Sequence, residues 1–528
     1  MAVRELQDYL HRAAERWPDG VALRDGDDTI SFVGLARRAG VIGARLAAAG
    51  LAPGDRVAVI APRSIDTIAG ILGVLEVGGV YVPVDADSPA PRVAHVLRAA
   101  APRVVMVSAA AAKLLDGVLA ELDTLSAQVM ALQEQPLAGD RFQSSLDLGG
   151  LESDAPLRRK GRSSYSPAHL LFTSGSTGVP KGVVITHANV ISFVDWGVKH
   201  FGIRPGERIS AHSPLAFDLS TFDLYGALAA GAELHFVPKS ANILAPKLRE
   251  FIADRELTQW FSVPGALNLL ARFDVVRPGD FPGLKRMIWC GEALPTPTLI
   301  YLMERLPHVQ FTNLYGPTEA TIASSWYSPT ERPADPRAEI PIGQPCEGER
   351  LLVLDGEMKE CPPEVVGDLY IAGVGLSPGY WQDAEKTAAA FLDWPAPGGG
   401  ALRIYRTGDL ARRGSDGLYY FHGRADTQVK SRGYRIELGE IEAAMHTLAG
   451  LRESAIVAVD AADFNGKTIC CAFVPDGDEM AEAAVLRRAL SALLPSYMLP
   501  SRWERLEALP RNQNGKVDRV ALRGLFGA

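Results

Sequence analysis

Short apolar runs alternating with helical stretches limit more than any other feature how this chain folds. Residues 57–60 (Val-Ala-Val-Ile) read as a buried strand, 65–77 as an apolar helix, 78–85 as a strand and loop, 92–100 as a helix and 104–107 as another strand. Alternation of this kind predicts a parallel sheet with helices on its faces. Residues 1–50 read as helix interrupted by a strand-like 29–32, the Ala-rich 108–133 as helix and connector, and 134–160 as polar loop. A second round follows, with strand-like runs at 209–214, 233–237, 259–263, 286–290 and 310–314, and with 217–225 entering a helix. Two of these strands end in Gly291-Glu292 and in Tyr315-Gly-Pro-Thr-Glu319, and in open α/β sheets ligands bind beyond such carboxyl ends.

Between the two rounds lies Thr-Ser-Gly-Ser-Thr-Gly-Val-Pro-Lys-Gly at 173–182, flanked by the apolar runs 170–172 and 183–185. A strand, a hydroxyl-rich loop and a second strand are the natural reading. Glycines such as Gly175 and Gly178 let the backbone approach a bulky anion; Ser174, Ser176 and Thr177 offer hydroxyls and Lys181 a charge, a set suited to polyphosphate. Lys181 is followed by Gly182, with the wrong glycine–lysine spacing for a Walker A loop.

At 528 residues the chain exceeds one core. From about residue 340 short strands such as 349–354 and 367–373 predict a β-rich subdomain. The polar, glycine-bounded stretch 423–433 marks a boundary, dividing a core of residues 1–424 from a small α+β domain, 425–528, with strands at 455–459 and 469–473 and a helix at 479–493. The net charge of −8, without a long basic tract, argues against nucleic acid or an anionic membrane as partner. Arg158-Arg159-Lys160 reads as a solvated approach to the loop. No run is long enough to span a bilayer, and the N-terminus lacks a signal peptide's apolar core. Five cysteines without ligand spacing read as reduced thiols of a cytoplasmic protein with no zinc site.

Residues 173–182, 315–319, Tyr-Arg-Thr-Gly-Asp-Leu at 405–410, 423–433 and Asn-Gly-Lys-Val-Asp at 514–518 resemble the signature motifs of adenylate-forming enzymes. Phe-Asp-Leu-Ser at 217–220 and Leu-Pro-Ser-Tyr-Met-Leu-Pro at 494–500 narrow the resemblance to the amino-acid-activating adenylation domains of non-ribosomal peptide synthesis. The resemblance implies an α/β fold: a large N-terminal domain of stacked α/β subdomains with a β-rich subdomain, and a small mobile α+β C-terminal lid. It also implies a two-step reaction. An amino acid carboxylate attacks the α-phosphate of ATP, pyrophosphate leaves, and after rotation of the lid a phosphopantetheine thiol takes the aminoacyl group.

Carried over by motif, Lys516 resembles the catalytic lysine that bridges carboxylate and α-phosphate. Thr173 to Gly178 and Lys181 correspond to the phosphate loop, Tyr315 with Gly316 to the adenine-packing segment, and Thr318 to a phosphate contact. Asp409, and with it Arg424, corresponds to the ribose-binding group, Glu319 to the Mg²⁺-associated carboxylate, and Asp426 to Lys430 to the hinge. Asp218 matches the acid that pairs with the substrate α-ammonium, a helix N-cap being the alternative reading. Leu219, Phe222, Phe261, Ile288, Cys290, Leu314, Ile322 and Ala323 align with pocket-lining positions beside Gly291; core packing is the alternative for each one singly. All eight are apolar, which disfavours charged substrates, and the bulk of Phe222, Phe261 and Ile288 leaves room for a small side chain.

Ile-Trp-Cys-Gly-Glu-Ala-Leu at 288–294, with the segment 217–225, is similar to D-alanine–carrier protein ligases. Alanine is therefore the expected substrate, ahead of glycine, serine and 2-aminobutyrate. The chain ends ten residues after Asp518 with no carrier serine motif, so the expected acceptor is a separate carrier protein or coenzyme A, and the expected state is a monomer. Three alternatives stand beside this reading: an acyl- or aryl-coenzyme A ligase, a non-catalytic sensor that keeps the fold, and a luciferase-like oxygenase. Asp218 argues against the first and last, and the retention of Lys516, Asp409 and Glu319 against the sensor.

Overall fold

A computed structural model describes residues 3–122, 126–150, 157, 163–175, 180–395, 399–431, 434–460, 467–476, 482–512 and 516–527. Ser176, Thr177 and Gly178, and the basic run 158–160, lie outside the described residues.

The first round of strands forms a six-stranded sheet, ordered Gln128–Ala131, Val104–Val107, Arg56–Ile60, Val80–Val84, Pro167–Thr173 and Lys181–Thr186. It is parallel except for the last pair, which is antiparallel. Successive strand side chains point to opposite faces. Val57 and Val59 accordingly join the core shared with the second sheet, while Ala58 and Ile60 pack under the Ala90–Ala100 helix. The second, nine-stranded sheet uses the same alternation: Phe261, Ile288, Cys290 and Leu314 face the shared core, and Trp260, Met287, Trp289 and Phe311 face an outer one. Helices Phe32–Ala48, Ile65–Val77, His187–Phe201 and Leu219–Ala230 contribute many of the other side chains of the shared core.

Local chemistry fixes these helices. Ser64 accepts from the Thr67 N–H at the start of Ile65–Val77, and Gly78 closes it in the left-handed conformation at φ 75°. Thr186 and Asn189 cap His187–Phe201 reciprocally. The Asn189 amide also donates to the carbonyls of Val374 and Leu376, tying the helix to the β-rich subdomain.

Two strands depart from the sequence reading. Val21–Asp25 pairs with Asp28–Ser31 in a hairpin and with Glu233–Phe236 in parallel, so the N-terminal helices are separated by two strands rather than one. Gln128–Ala131 is a strand inside the stretch read as helix and connector, recruited by parallel pairing with Val104–Val107. Alanine-rich flanks hid a four-residue strand whose stability comes from its neighbour.

The β-rich subdomain carries the long strand Ala401–Arg413, paired with Gly367–Gly373, Phe391–Pro395 and Tyr419–Arg424. Its last strand ends at Arg424; a two-stranded hairpin, Gln428–Ser431 with Tyr434–Glu437, then leads to the three-stranded sheet and helices of the C-terminal region. That region is fastened to the core by the buried ion pair Arg92–Glu440, and the Ser174 hydroxyl donates to the Arg435 carbonyl at 2.7 Å. The five cysteines are free. Among the described residues, no helix is long and apolar enough to cross a membrane.

Candidate active site

Strand ends and the C-terminal hairpin enclose one cleft. Its lining includes Asp85, Ser88 and Arg92, then Thr173, Ser174, Phe217, Asp218, Gly291, Gly316 and Thr318, with Asp409 and Arg424 from the β-rich subdomain and Lys430, Tyr434, Arg435 and Tyr497 from beyond it. Thr173 Oγ1 is buried without a hydrogen-bond partner. A buried hydroxyl left unpaired is costly, and a phosphate oxygen is one group that would satisfy it.

Asp218 occupies the N-terminal position of helix Leu219–Ala230, yet its side chain does not cap the helix. Instead its carboxylate accepts from Thr318 Oγ1 at 2.8 Å. Burial pushes the Asp218 carboxyl up to about 6, against the hydrogen bond from Thr318 and the charge of Lys430. An ammonium group arriving in the cleft would restore the charged form.

The eight aligned pocket positions are all buried: Leu219, Phe222, Phe261, Ile288, Cys290, Leu314, Ile322 and Ala323. None of them lines the main cleft; of the substrate positions, Asp218 and Gly291 do, and Leu314 lines an adjoining cavity with Gly291 and Tyr315. Phe222 meets Phe261 edge-on at 6.0 Å and Phe193 at 5.3 Å within the shared core. Burial pushes the Cys290 thiol up to about 12, so it packs as a neutral apolar group.

Asp409 and Tyr315 are joined. The Tyr315 hydroxyl donates to Asp409 Oδ2 at 2.5 Å, and Arg424 donates to Oδ1 at 2.5 Å. Arg424 also forks onto Asp426 at 2.7 and 2.6 Å, so the residues aligned with ribose binding and with the hinge form one charged chain. The Lys430 ammonium lies 5.2 Å from the Tyr315 ring centre. Lys430 lines the main cleft, the adjoining cavity and a groove along the C-terminal region, a placement its sequence assignment to the hinge did not suggest.

Glu319 has no exposed surface. Oε1 accepts from the Tyr380 hydroxyl at 2.9 Å and lies 3.1 Å from the Lys181 ammonium, while Oε2 accepts from Arg435 at 2.8 Å. Burial raises its carboxyl, but Arg435 and Lys181 more than offset this and hold it far below the usual carboxylate range. The same burial lowers the Lys181 ammonium, opposed by Glu319. Among the described residues no group of three His, Cys, Asp or Glu side chains stands ready for a metal. With both oxygens of Glu319 engaged by cations and a hydroxyl, the residues in this arrangement do not fit the Mg²⁺ expected there. Two like cations already neutralise the carboxylate.

Lys516 is also placed away from the expected chemistry. It is exposed, its backbone N–H donating to Asn512 Oδ1 at 3.1 Å, and it does not line the cleft. The hairpin bearing Lys430 and Arg435 fills the side of the cleft facing the C-terminal region. Sequence reasoning missed Arg435, Tyr380, Tyr434 and Tyr497. Arg435 lies two residues beyond the stretch 423–433 and Tyr497 within the motif 494–500, neither with an assigned role; Tyr380 and Tyr434 carry no local signal.

A two-sheet core, a β-rich subdomain and a small C-terminal region converging on one cleft define the fold of adenylate-forming enzymes. The chain belongs to that family: the AMP-binding enzyme profile matches residues 10–381 and its C-terminal domain residues 440–516. Among curated relatives, Phosphinothricin tripeptide synthetase PhsB of Streptomyces viridochromogenes is 38% identical over 98% of this chain, which spans 42% of that longer protein. An L-proline–[L-prolyl-carrier protein] ligase of Streptomyces coelicolor is 34% identical, with 93% of this chain and 91% of the ligase aligned. A solved NRPS protein containing adenylation and PCP domains, bound to a vinylsulfonamide inhibitor, superposes with a TM-score of 0.80 at 26% identity, covering 98% of this chain and 84% of that one.

Proposed function

We propose that this chain uses ATP to activate a small neutral amino acid, alanine first, and passes the aminoacyl group to the phosphopantetheine thiol of a carrier protein supplied separately. The observation that carries the reading is Asp218: a half-buried carboxylate facing the cleft, with its charged form disfavoured by desolvation until a cation arrives. A substrate α-ammonium supplies that cation, and an acid lacking an amine does not. The bulk of Phe222 and Phe261, buried and packed edge-on at pocket-aligned positions, supports a short side chain. Of the relatives, the proline ligase is named for a different amino acid, so alanine rests on the aligned residues of this chain.

On this reading the unpaired Thr173 hydroxyl and Lys181 take the phosphates, Asp409 exchanges Tyr315 or Arg424 for the ribose hydroxyls, and Lys516 enters after the C-terminal region rotates about the Asp426 to Lys430 segment. Mg²⁺ accompanying ATP would supply charge neutralisation at the phosphates, without Glu319, whose oxygens are held by Lys181, Tyr380 and Arg435. Bringing two anions together is mainly a matter of positioning and charge.

The test is amino-acid-dependent pyrophosphate release across a panel with D- and L-alanine, with the Asp218→Ala variant alongside. Turnover with a small neutral amino acid, lost in the variant, is the expected result. Turnover with fatty or aryl acids, indifferent to Asp218, would move the chain to the coenzyme A ligases, and silence with every acid would leave a sensor.

A further inference from the structure

Two adjacent β-branched residues, Thr321 and Ile322, sit in the left-handed region at φ 57° and 70°, which such side chains avoid. The Ala323 N–H donates to the Thr321 carbonyl at 2.9 Å, so the chain makes a γ-turn about Ile322 in the rare, strained form. Strain of this kind persists where the surroundings over-determine it. The Ile322 carbonyl accepts from the Cys290 thiol at 3.9 Å. The buried Thr321 hydroxyl donates to the Gly375 carbonyl at 2.7 Å.

Gly375 belongs to a strap, residues 374–377, that follows strand Gly367–Gly373 of the β-rich subdomain. Each of its residues is fastened. The carbonyls of Val374 and Leu376 accept from the Asn189 amide, on helix His187–Phe201. The Gly375 N–H donates to Glu349 Oε1 at 2.7 Å, on strand Glu349–Leu354, and the Ser377 hydroxyl to the Val184 carbonyl at 2.6 Å, on strand Lys181–Thr186. Anchored to three elements, the strap meets the segment 315–324 at two points: the Gly375 carbonyl takes the Thr321 hydroxyl, and the Ser377 N–H donates to the Glu319 carbonyl at 2.9 Å. No side chain fits at Gly375, where a Cβ would lie 2.6 Å from the Ala320 carbonyl oxygen.

The strained turn backs directly onto the cleft. The Ser324 N–H donates to the Tyr315 carbonyl at 2.7 Å, the Thr321 N–H to the Thr318 carbonyl at 3.1 Å, and a Cβ at Gly316 would lie 2.5 Å from Ala323 Cα. Gly316 and Thr318 line the cleft, Thr318 bonded to Asp218, while Tyr315 is bonded to Asp409.

We propose that the strap 374–377 is the support of the cleft segment 315–324, and that Thr321 is the positioning residue that carries this support to Thr318 and Tyr315. The identity of what the segment holds rests on the reading of the chain as an adenylating ligase; the support rests on the geometry. Thr321 does not line the cleft and acts through the pairs Thr318–Asp218 and Tyr315–Asp409. Without its hydroxyl, one of the contacts that hold two β-branched residues at positive φ is gone, and the turn relaxes toward ordinary backbone angles. Thr318, Gly316 and Tyr315 are bonded to or packed on that turn and shift with it, so both substrate subsites loosen together.

Thr321→Val keeps the β-branched shape and removes the hydroxyl, whereas Thr321→Ser keeps the hydroxyl. Hydrogen exchange read by mass spectrometry on the full chain needs no substrate. A peptide covering 315–324 should exchange about fivefold or more faster in Thr321→Val than in the parent, with Thr321→Ser near the parent and strand Gln259–Ser262 unchanged in both. Pyrophosphate release then reads the consequence. KM for ATP and KM for the amino acid should rise together in Thr321→Val, kcat/KM falling by up to about 10²-fold, and Thr321→Ser should restore them. Parent-like exchange in Thr321→Val overturns the proposal. Faster exchange throughout the chain overturns it too, being a loss of global stability, as does local loosening that leaves both KM values unchanged. Should Thr321→Val fail to fold by circular dichroism, Glu349→Ala, which removes the partner of the Gly375 N–H, takes its place under the same readouts. Silence of the parent with every acid would remove the ligase reading, and the exchange comparison alone would then decide whether the strap supports the segment.

Discussion

Thr318 Oγ1 donates to the Asp218 carboxylate at 2.8 Å, joining the loop after strand Gln310–Tyr315 to the start of helix Leu219–Ala230. One end of this contact is aligned with phosphate and the other with the amino group of the substrate. On the proposed reading a single hydrogen bond would position both substrates. Replacing Thr318 with Val should raise KM for both amino acid and ATP, with a loss in kcat/KM of about 1–3 kcal/mol from the unpaired carboxylate oxygen. Steady-state kinetics varying each substrate in turn would measure it, and an effect on ATP alone would deny the link.

Asp218→Asn keeps the shape and removes the charge. Truncating one partner of a buried charge pair costs about 2–5 kcal/mol, so kcat/KM for the amino acid should fall by roughly 30-fold to several thousand-fold. KM for ATP should move little. A comparable loss for both substrates would mean that Asp218 shapes the cleft rather than holding the ammonium.

The acidity of Asp218 gives a pH signature. Its carboxyl is pushed up to about 6 by burial. Below that value the group is protonated and must lose its proton to pair with an ammonium, so amino acid affinity should weaken as pH falls through about 6, by up to tenfold per unit. Above it, affinity should be level until the amino acid itself deprotonates. The Asp218→Asn variant should lack the acid limb. Calorimetric binding of the amino acid between pH 5 and pH 8 would show it, independent of later steps.

Lys516 offers a separation of half-reactions. Its exposed position predicts that Lys516→Ala leaves the melting temperature unchanged. As the cation delivered to the first step, it should cost about 10²–10³ in pyrophosphate release while transfer from a supplied aminoacyl-adenylate proceeds. Loss of both half-reactions to the same degree would contradict delivery by rotation.

Most of the sheet architecture was legible because its strands are β-branched runs between turn residues, as at 57–60 and 104–107. Buried strands of this kind depend on composition that a sequence displays directly. Val21–Asp25 and Gln128–Ala131 escaped because pairing, rather than composition, holds them. The cleft divides in the same way. Asp218, Thr318 and Asp409 sit in short motifs that a sequence displays, and all three line the cleft. Arg435 and Tyr380 act only because residues 116 and 61 positions from Glu319 fold onto it, and no local pattern encodes that distance. The location of Lys516 depends on which way the C-terminal region is turned, a variable that motif order does not contain.

Phe222 provides the sharpest test of substrate choice. Its ring is held between two glycines: a Cβ added at Gly197 would lie 2.6 Å from it, and one at Gly226 3.0 Å. Phe193 and Phe261 meet it at 5.3 and 6.0 Å. A ring so confined has no alternative position, so on the proposed reading it would limit the substrate side chain from a fixed place. Phe222→Ala should destabilise the fold by about 3–5 kcal/mol through the void it leaves, seen as a lowered urea midpoint. The same void should admit longer apolar side chains. Each added methylene that fills it is worth about 1–3 kcal/mol of discrimination, so the preference should turn from alanine toward valine or leucine by roughly 10- to 200-fold. The pyrophosphate-release panel run on both proteins would register the shift. Because the backbone and Asp218 are untouched, the variant should still require an α-amino group. A variant that folds, keeps that requirement and still prefers the smallest side chain would place the limiting wall elsewhere, at Ile288 or Cys290.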